Sequence, residues 1–501
     1  MKNTKVTPLA WAKLFAAAFS LMASLLMGAC GGGGLTAGVG TGGTGLAEGT
    51  VTGFGSVIVD GTEYDDASAN IQQDDGTGVA VNADLKLGQR VQLSLNADKT
   101  VKSVAVLPQL VGLASTAQDA NGNFRVLGQW VRLAGSNADT SQSPAVVLAG
   151  LGNAAIDVGD PLEVHGTWVF DSQLASYVLI ASRVEKLAAA PALLQLSGVV
   201  QTMSGKVMRL NSVQGPLVQA DVLPAGLAVG HLVRIWATQA AWSASTTTPS
   251  LTLVASRIAD STLTADLVAD QTAVLSGPVA NYNAALRTVE LQGTTVQLGP
   301  QLLINEQDLL RGAFVSLSVQ RSGANLVAQS ASQRGNAGTA TDLGQSIAVK
   351  AITNGIDWSA DPVQFSLRGV PVSAAATTLS GTCRQAANGV DLLVDVIGRV
   401  SKTSNVVVAS QVNCSLPGGS GNNFPPGTIT VRTGLVTQIN LMMHTLVLQT
   451  LHGNVTVQWD PQTFFAPEFN MRPESLTGQS VEVEGVNQTG LLRARTVRRS
   501  P

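Results

Sequence analysis

The sequence predicts an all-β protein built as a tandem array of about six small antiparallel barrels of five strands each, and three observations carry that prediction. A pair of alternating strands around a Gly-containing turn recurs six times along the chain. After each pair comes a second signature, a Gly placed about three residues before another alternating strand. Composition agrees, because charged residues are only 13% of the chain while Gly reaches 52 of 501 residues, and long Glu- and Lys-rich runs of helix formers are missing.

The N-terminus is read separately from these repeats. Lys2, Lys5 and Lys13 form a basic region, and Leu14 to Met27 is an apolar stretch too short to span a bilayer comfortably. It ends in Leu26-Met27-Gly28-Ala29-Cys30, which resembles the lipobox of bacterial lipoproteins. Residues 1–29 are therefore expected to be a signal peptide, and Cys30 to be acylated, its thiol accepting a diacylglyceryl group and palmitate being among the expected acyl chains. Residues 30–47 are Gly-rich and expected to act as a tether, with a root-mean-square span of roughly 20–25 Å. By resemblance to Gram-negative lipoproteins, the lack of Asp after Cys30 implies the outer membrane.

The repeats follow in order. Ser56-Val-Ile-Val-Asp-Gly-Thr-Glu-Tyr64 is a strand, an Asp60-Gly61 turn and a strand. Asp-Gly between alternating apolar residues marks a hairpin, because a type I′ turn needs positive φ at both positions. Related hairpins are expected at Phe124–Leu133, before Gly215, and around Gly293, Gly369 and Gly453. The second signature appears at Gly88, Gly159, Gly230, Gly312, Gly389 and Gly478, and several units close on a strand with a small residue in an apolar frame, such as Leu179-Ile-Ala181. Most units also open on a strand containing Gly, namely Gly49, Gly112, Gly198, Gly277 and Gly434. Five strands with a variable insert between the third and fourth is the plan of an OB-like barrel. The expected modules are 48–108, 109–188, 193–260, 272–334, 345–415 and 428–499, joined as an elongated string in which each touches mainly its neighbours.

Glu48-Gly-Thr-Val-Thr-Gly-Phe-Gly-Ser-Val-Ile-Val-Asp-Gly-Thr-Glu-Tyr64, followed by Asp84-Leu-Lys-Leu-Gly-Gln-Arg-Val91, resembles the bacterial family DUF5666. That resemblance covers roughly residues 48–107 and implies small β-barrel modules, often several per lipoprotein. It implies no catalytic residues and no ligand.

Charge narrows the partners. Without the three lysines of the signal segment, the 33 acidic residues exceed the remaining basic ones by six, a balance that argues against wide nucleic-acid contact. The cluster Arg493, Arg495, Arg498 and Arg499 reads as a solvated last strand and tail. With Cys30 assigned to the anchor, Cys383 and Cys414 remain and are expected to form a disulfide in an oxidising compartment. Four scattered histidines show no metal-ligand spacing, and no cofactor is expected.

Few residues suggest chemistry. Asp65, Asp66, Asp74 and Asp75 are the densest acidic patch and a Ca²⁺ candidate, although their spacing is not that of an EF-hand and a solvated loop accounts for them more simply. G-x-S-x-G, S-x-x-K and a P-loop are absent. His165 and Glu163 merely share a strand face. Among the tryptophans, Trp130 beside Arg132 is the binding candidate, since the face of strands two and three of an OB-like barrel can stack sugars or bases. The expected function is a non-enzymatic binding or structural protein of the cell envelope, anchored to the membrane, with a protein or glycan partner and no nucleic acid. The alternative is a hydrolase or lyase acting on envelope polysaccharide or peptidoglycan.

Overall fold

The computed structural model describes residues 45–500 except 134–145, 153, 247–252, 264–266, 268–270, 292, 303, 307–308, 310–312, 324, 335–346, 385–389, 402–404, 417–428, 470–471 and 489–490. Cys30 and the signal segment lie outside the described residues, as do Gly312 and Gly389. The described residues all belong to one compact unit. They are nearly all β, with a single eight-residue α-helix, Gln239–Thr246, and a few short 3₁₀ turns. Among them no helix is long and apolar enough to cross a membrane.

The last 70 or so residues show the frame most completely. Strand Ile429–Asn440 pairs with Thr445–Thr450, which pairs with Gly453–Gln458. Gly453–Gln458 runs parallel to Leu491–Arg499, which pairs with Ser480–Gln488, and that strand returns to Ile429–Asn440. The five strands close on themselves, so no long edge is left to recruit another chain. Closure depends on the first strand serving both edges, with Ile429–Leu435 on Ser480–Val486 and Gly434–Asn440 on Thr445–Thr450. Gly434 sits at the handover, where a Cβ would collide with the Gln449 carbonyl.

The same cycle of pairings joins Leu110–Thr116, Asn123–Val126, Gln129–Leu133, Ser176–Lys186 and Pro161–Asp171 in the second unit. The fifth unit is looser: Ile347–Thr353 pairs with Leu392–Val400, and among the described residues it has no ladder to the hairpin Val363–Leu367/Val370–Ala374. Local chemistry explains the recurrent turns. Asp60-Gly61, Leu127-Gly128 and Arg368-Gly369 all carry positive φ at both positions, the conformation that lets a two-residue turn follow strand twist. The Gly that precedes the fourth strand of the frame is likewise left-handed at Gly88, Gly159, Gly230 and Gly478, with φ between 79° and 92°.

Two expectations need correction. Residues 45–47, read as the end of the tether, open the first strand, Gly45–Phe54, and pair on both sides with Leu93–Ser94 and with Thr272–Val274. The units are also not strung out so that each touches mainly its neighbours. Gly45–Glu48 runs parallel to Thr272–Leu275 of the fourth unit, and Gly53–Phe54 runs parallel to Ala348–Val349 of the fifth. Among the described residues the apolar interior falls into four clusters, one drawn mainly from the first and fifth units with a few residues of the second and sixth, and another from the second and third. Apolar faces on the outside of small barrels gain by burial against any complementary neighbour, and sequence adjacency does not limit that choice.

Candidate functional site

Most of the chain's striking charges serve to hold units together. Asp66, fully buried, accepts hydrogen bonds from Arg368 Nη2 and Arg495 Nη2, each at 3.0 Å. Arg368 Nη2 also donates to Glu484 Oε1 at 3.1 Å. Arg498 donates to Asp84 Oδ1 at 2.7 Å, to Glu482 Oε1 at 2.9 Å and to Glu484 Oε2 at 3.0 Å. Glu482 Oε1 accepts the Gly369 N–H as well, at 2.7 Å, and the Arg368 guanidinium stands 4.8 Å from the Phe54 ring centre. Four carboxylates and three guanidiniums from the first, fifth and sixth units thus form one largely buried node. Burial pushes the Asp66 and Glu484 carboxyls up, but the facing arginines outweigh it and hold both below the ordinary carboxylate range.

This node corrects the reading of the C-terminal arginines. Arg495 and Arg498 are not a solvated tail; they are consumed by carboxylates of the first and sixth units. Arg493, paired with Asp460 at 2.6 Å, and Arg499 keep exposed positions on the same strand, so the solvated reading holds for those two. The acidic patch is also dispersed. Asp66 is in the node, Asp74 binds Arg257 at 2.7 Å, Asp75 accepts from Thr77, and Asp65 accepts from the Ala67 N–H. Among the described residues no group of three or more His, Cys, Asp or Glu side chains is placed to hold a metal ion.

His165 and Glu163 do more than share a face. His165 is fully buried, its Nε2 lies 2.9 Å from Glu163 Oε1, and its Nδ1 accepts the Arg90 N–H at 3.2 Å. Both residues stand on one face because the register from Glu163 to His165 is unbroken, and the strand bulges only after His165. With both ring nitrogens committed, the imidazole ties the second unit to the first. Cys383 and Cys414 form a disulfide within the fifth unit, 31 residues apart in sequence.

A different arrangement lies between the second and third units, in a cleft of about 770 Å³. Trp130, on strand Gln129–Leu133, lines it, and its cross-strand partner is Arg125, whose guanidinium stacks 4.0 Å from the ring centre. Arg209, from Val207–Leu210, lines the facing side and steadies itself on the Gly215 carbonyl at 3.0 Å. Trp242, on the helix Gln239–Thr246, lies over the left-handed Gly128, where an added Cβ would lie 3.7 Å from its ring. Ser115, Gln129 and Asn211 add polar groups, and no carboxylate or histidine is among the lining residues.

The binding pair expected from sequence is therefore split. Trp130 is in the cleft, whereas Arg132 is not; it donates to Asp171 Oδ2 at 3.0 Å and to Asn123 Oδ1 at 2.9 Å. Sequence reasoning missed Arg125, although the Leu127-Gly128 turn sets a register that places residue 125 opposite 130. Arg209 and Gln129 carried no signal of their own.

Comparisons with known proteins bear on the frame more than on the cleft. No curated protein matches the sequence. Among solved structures, the chain is similar to CusF–Ag(I) from Escherichia coli, with 19% identity, a TM-score of 0.13, and coverage of 15% of this chain and 95% of that one. It is also similar to a multidomain protein with nucleic acid binding domains from Streptococcus pneumoniae TIGR4, with 12% identity, a TM-score of 0.11, and coverage of 46% and 73% respectively. The family match falls on residues 433–498, within the closed barrel of the last unit and not on the first unit, where the sequence resemblance was drawn. The chain thus contains a domain of unknown function of the family DUF5666, formed by its last barrel.

Proposed function

We propose that this chain is an exported, lipid-anchored protein of the cell envelope, that its six units are OB-like barrels in tandem, and that it binds a glycan or protein ligand without turning it over. The observation that carries the binding reading is the cleft between the second and third units. It gathers two indoles, two guanidiniums and several amides and hydroxyls around about 770 Å³, within the size range of ligand pockets. General acid–base chemistry needs a carboxylate, a histidine or a comparable group at hand, and the cleft is lined instead by groups that stack and donate hydrogen bonds. The recurrence of one strand-pairing cycle in the second and last units supports the barrel reading. The sequence Leu26-Met-Gly-Ala-Cys30 supports the anchor.

In-cell crosslinking followed by mass spectrometry tests this function, run beside an activity screen on peptidoglycan and polysaccharides. A reproducible glycan or protein partner captured through residues around Trp130, without turnover, is the expected result. Turnover abolished by one Asp or Glu substitution overturns it in favour of a hydrolase or lyase. For the anchor, labelling with an alkyne fatty acid should be lost in Cys30→Ser; equal labelling of both proteins removes that part of the proposal.

A further inference from the structure

The polarity of one buried hydrogen-bond chain defines what the cleft between the second and third units lacks. The Val199 backbone N–H donates to Asn211 Oδ1 at 2.8 Å. A backbone N–H can only donate, so this contact fixes the orientation of the Asn211 amide. Asn211 Nδ2 then donates to Gln129 Oε1, also at 2.8 Å, and this fixes the Gln129 amide in turn. What remains is Gln129 Nε2, a donor on a residue only 2% exposed, lining the cleft and left without a partner. Gly198 protects the arrangement, since a Cβ there would press on the Asn211 side-chain amide at 2.7–2.9 Å. Buried donors are rarely left unmatched, and this one calls for an acceptor supplied from outside the protein.

Charge points the same way. Arg125 and Arg209 line the cleft, neither forms an ion pair with a carboxylate among the described residues, and the lining contains no acid. The chain as a whole is acidic, so this is a local reversal of sign. An anionic ligand satisfies both the guanidiniums and the amide donor, with charge-assisted bonds stronger than neutral ones. The indoles of Trp130 and Trp242 offer flat apolar surfaces of the kind that pack on the C–H faces of sugar rings, while Ser115, Ser176, Ser212 and Gln214 match ring hydroxyls. A nucleic-acid strand fits less well, because two cations are few for a polyphosphate and the surrounding acidic chain repels it.

We propose that the cleft binds an acidic saccharide, its carboxylate held by Gln129 Nε2 and the guanidiniums of Arg125 and Arg209, and its rings packed on the tryptophans. This rests on the binding reading above and specifies its ligand. The test is calorimetric titration of the full chain with trigalacturonate, trimannuronate and a hyaluronan tetrasaccharide, each beside its methyl ester, and with a thymidine oligonucleotide. At least one acid form should bind, with its ester weaker by roughly tenfold or more. Arg125→Gln and Arg209→Gln should weaken the acid form more than the ester and so narrow the difference between them, and Gln129→Leu should do the same, all with melting checked to confirm folding. Equal binding of acid and ester overturns the charge assignment while leaving a glycan-binding cleft. Binding of the oligonucleotide alone overturns the saccharide. Failure of all the probes overturns this inference, and the broader reading is then judged by the crosslinking experiment alone.

Discussion

The node joining the first, fifth and sixth units and the cleft between the second and third use the same frame to opposite ends. In the node, the turn Arg368-Gly369 delivers a guanidinium into a pocket of carboxylates, where Asp66 and Glu484 hold it on both sides. In the cleft, the equivalent turn Leu127-Gly128 carries no charge, and the arginines nearby, Arg125 and Arg209, meet no acid. A guanidinium surrounded by carboxylates is cement between units. One that faces an indole and an unmatched amide is free to recognise something else. The difference is made by which residues line the facing barrel, since the turns themselves share one backbone conformation.

The largest expected effect breaks the node. Arg368→Ala leaves the buried Asp66 with Arg495 alone and the buried Glu484 without one of its guanidiniums, and losing one partner of such a network costs about 3–5 kcal/mol. Arg125→Ala, at a partly exposed position without an ionic partner, should cost within about 0.5 kcal/mol. Urea denaturation of both variants checks this, and similar losses would show that the two regions do not differ as described. Next in size is the disulfide. Replacing Cys383 and Cys414 together by Ser should destabilise the fold by about 3–4 kcal/mol on chain-entropy grounds, read as a lower denaturation midpoint in the same experiment. An unchanged midpoint would mean that the node, and not the disulfide, secures the fifth unit.

Acid should separate the two regions further. Asp66 and Glu484 are held below their ordinary range, so their contribution is fully present above the unfolded carboxylate range, about pH 4. It is lost progressively as the pH falls from there through their lowered folded values. Native-state hydrogen exchange should show the Gly369 amide, which donates to Glu482, losing protection at pH 3 relative to pH 7. The Val199 amide, bonded to the neutral Asn211 side chain, should hold its protection. Parallel loss at both would refute the separation. The smallest effect belongs to Arg493→Ala, which removes a half-exposed pair with Asp460; pairs of this kind are worth under about 1 kcal/mol, and denaturation should barely move.

Much of the frame was legible because it is local. The Asp60-Gly61 turn, the Gly before the fourth strand and the alternation of Leu162-Glu-Val164 each follow from φ/ψ limits and a two-residue period that neighbouring residues alone impose. Trp130 was legible as a candidate because it stands on an alternating strand of that frame. Arg132 was not excluded by sequence, since its partner Asp171 lies on a strand that reaches it only after the barrel closes. The tail arginines misled for a similar reason. Alternation along Leu491–Arg499 shows that Arg495 and Arg493 share a face, but not that another unit covers part of it.

By itself, then, the sequence determined the β class, the hairpin turns, the recurring glycines and the pairing of the two cysteines left after Cys30 is assigned to the anchor. Each of these depends on backbone geometry or on having a single partner available. Tertiary structure alone decided that Asp66 meets Arg368 across 302 residues, that Gly45–Glu48 lies along Thr272–Leu275, and that Trp242 lies over Gly128. Contacts between units depend on which outer faces match in shape and charge, and such faces carry no periodicity along the chain.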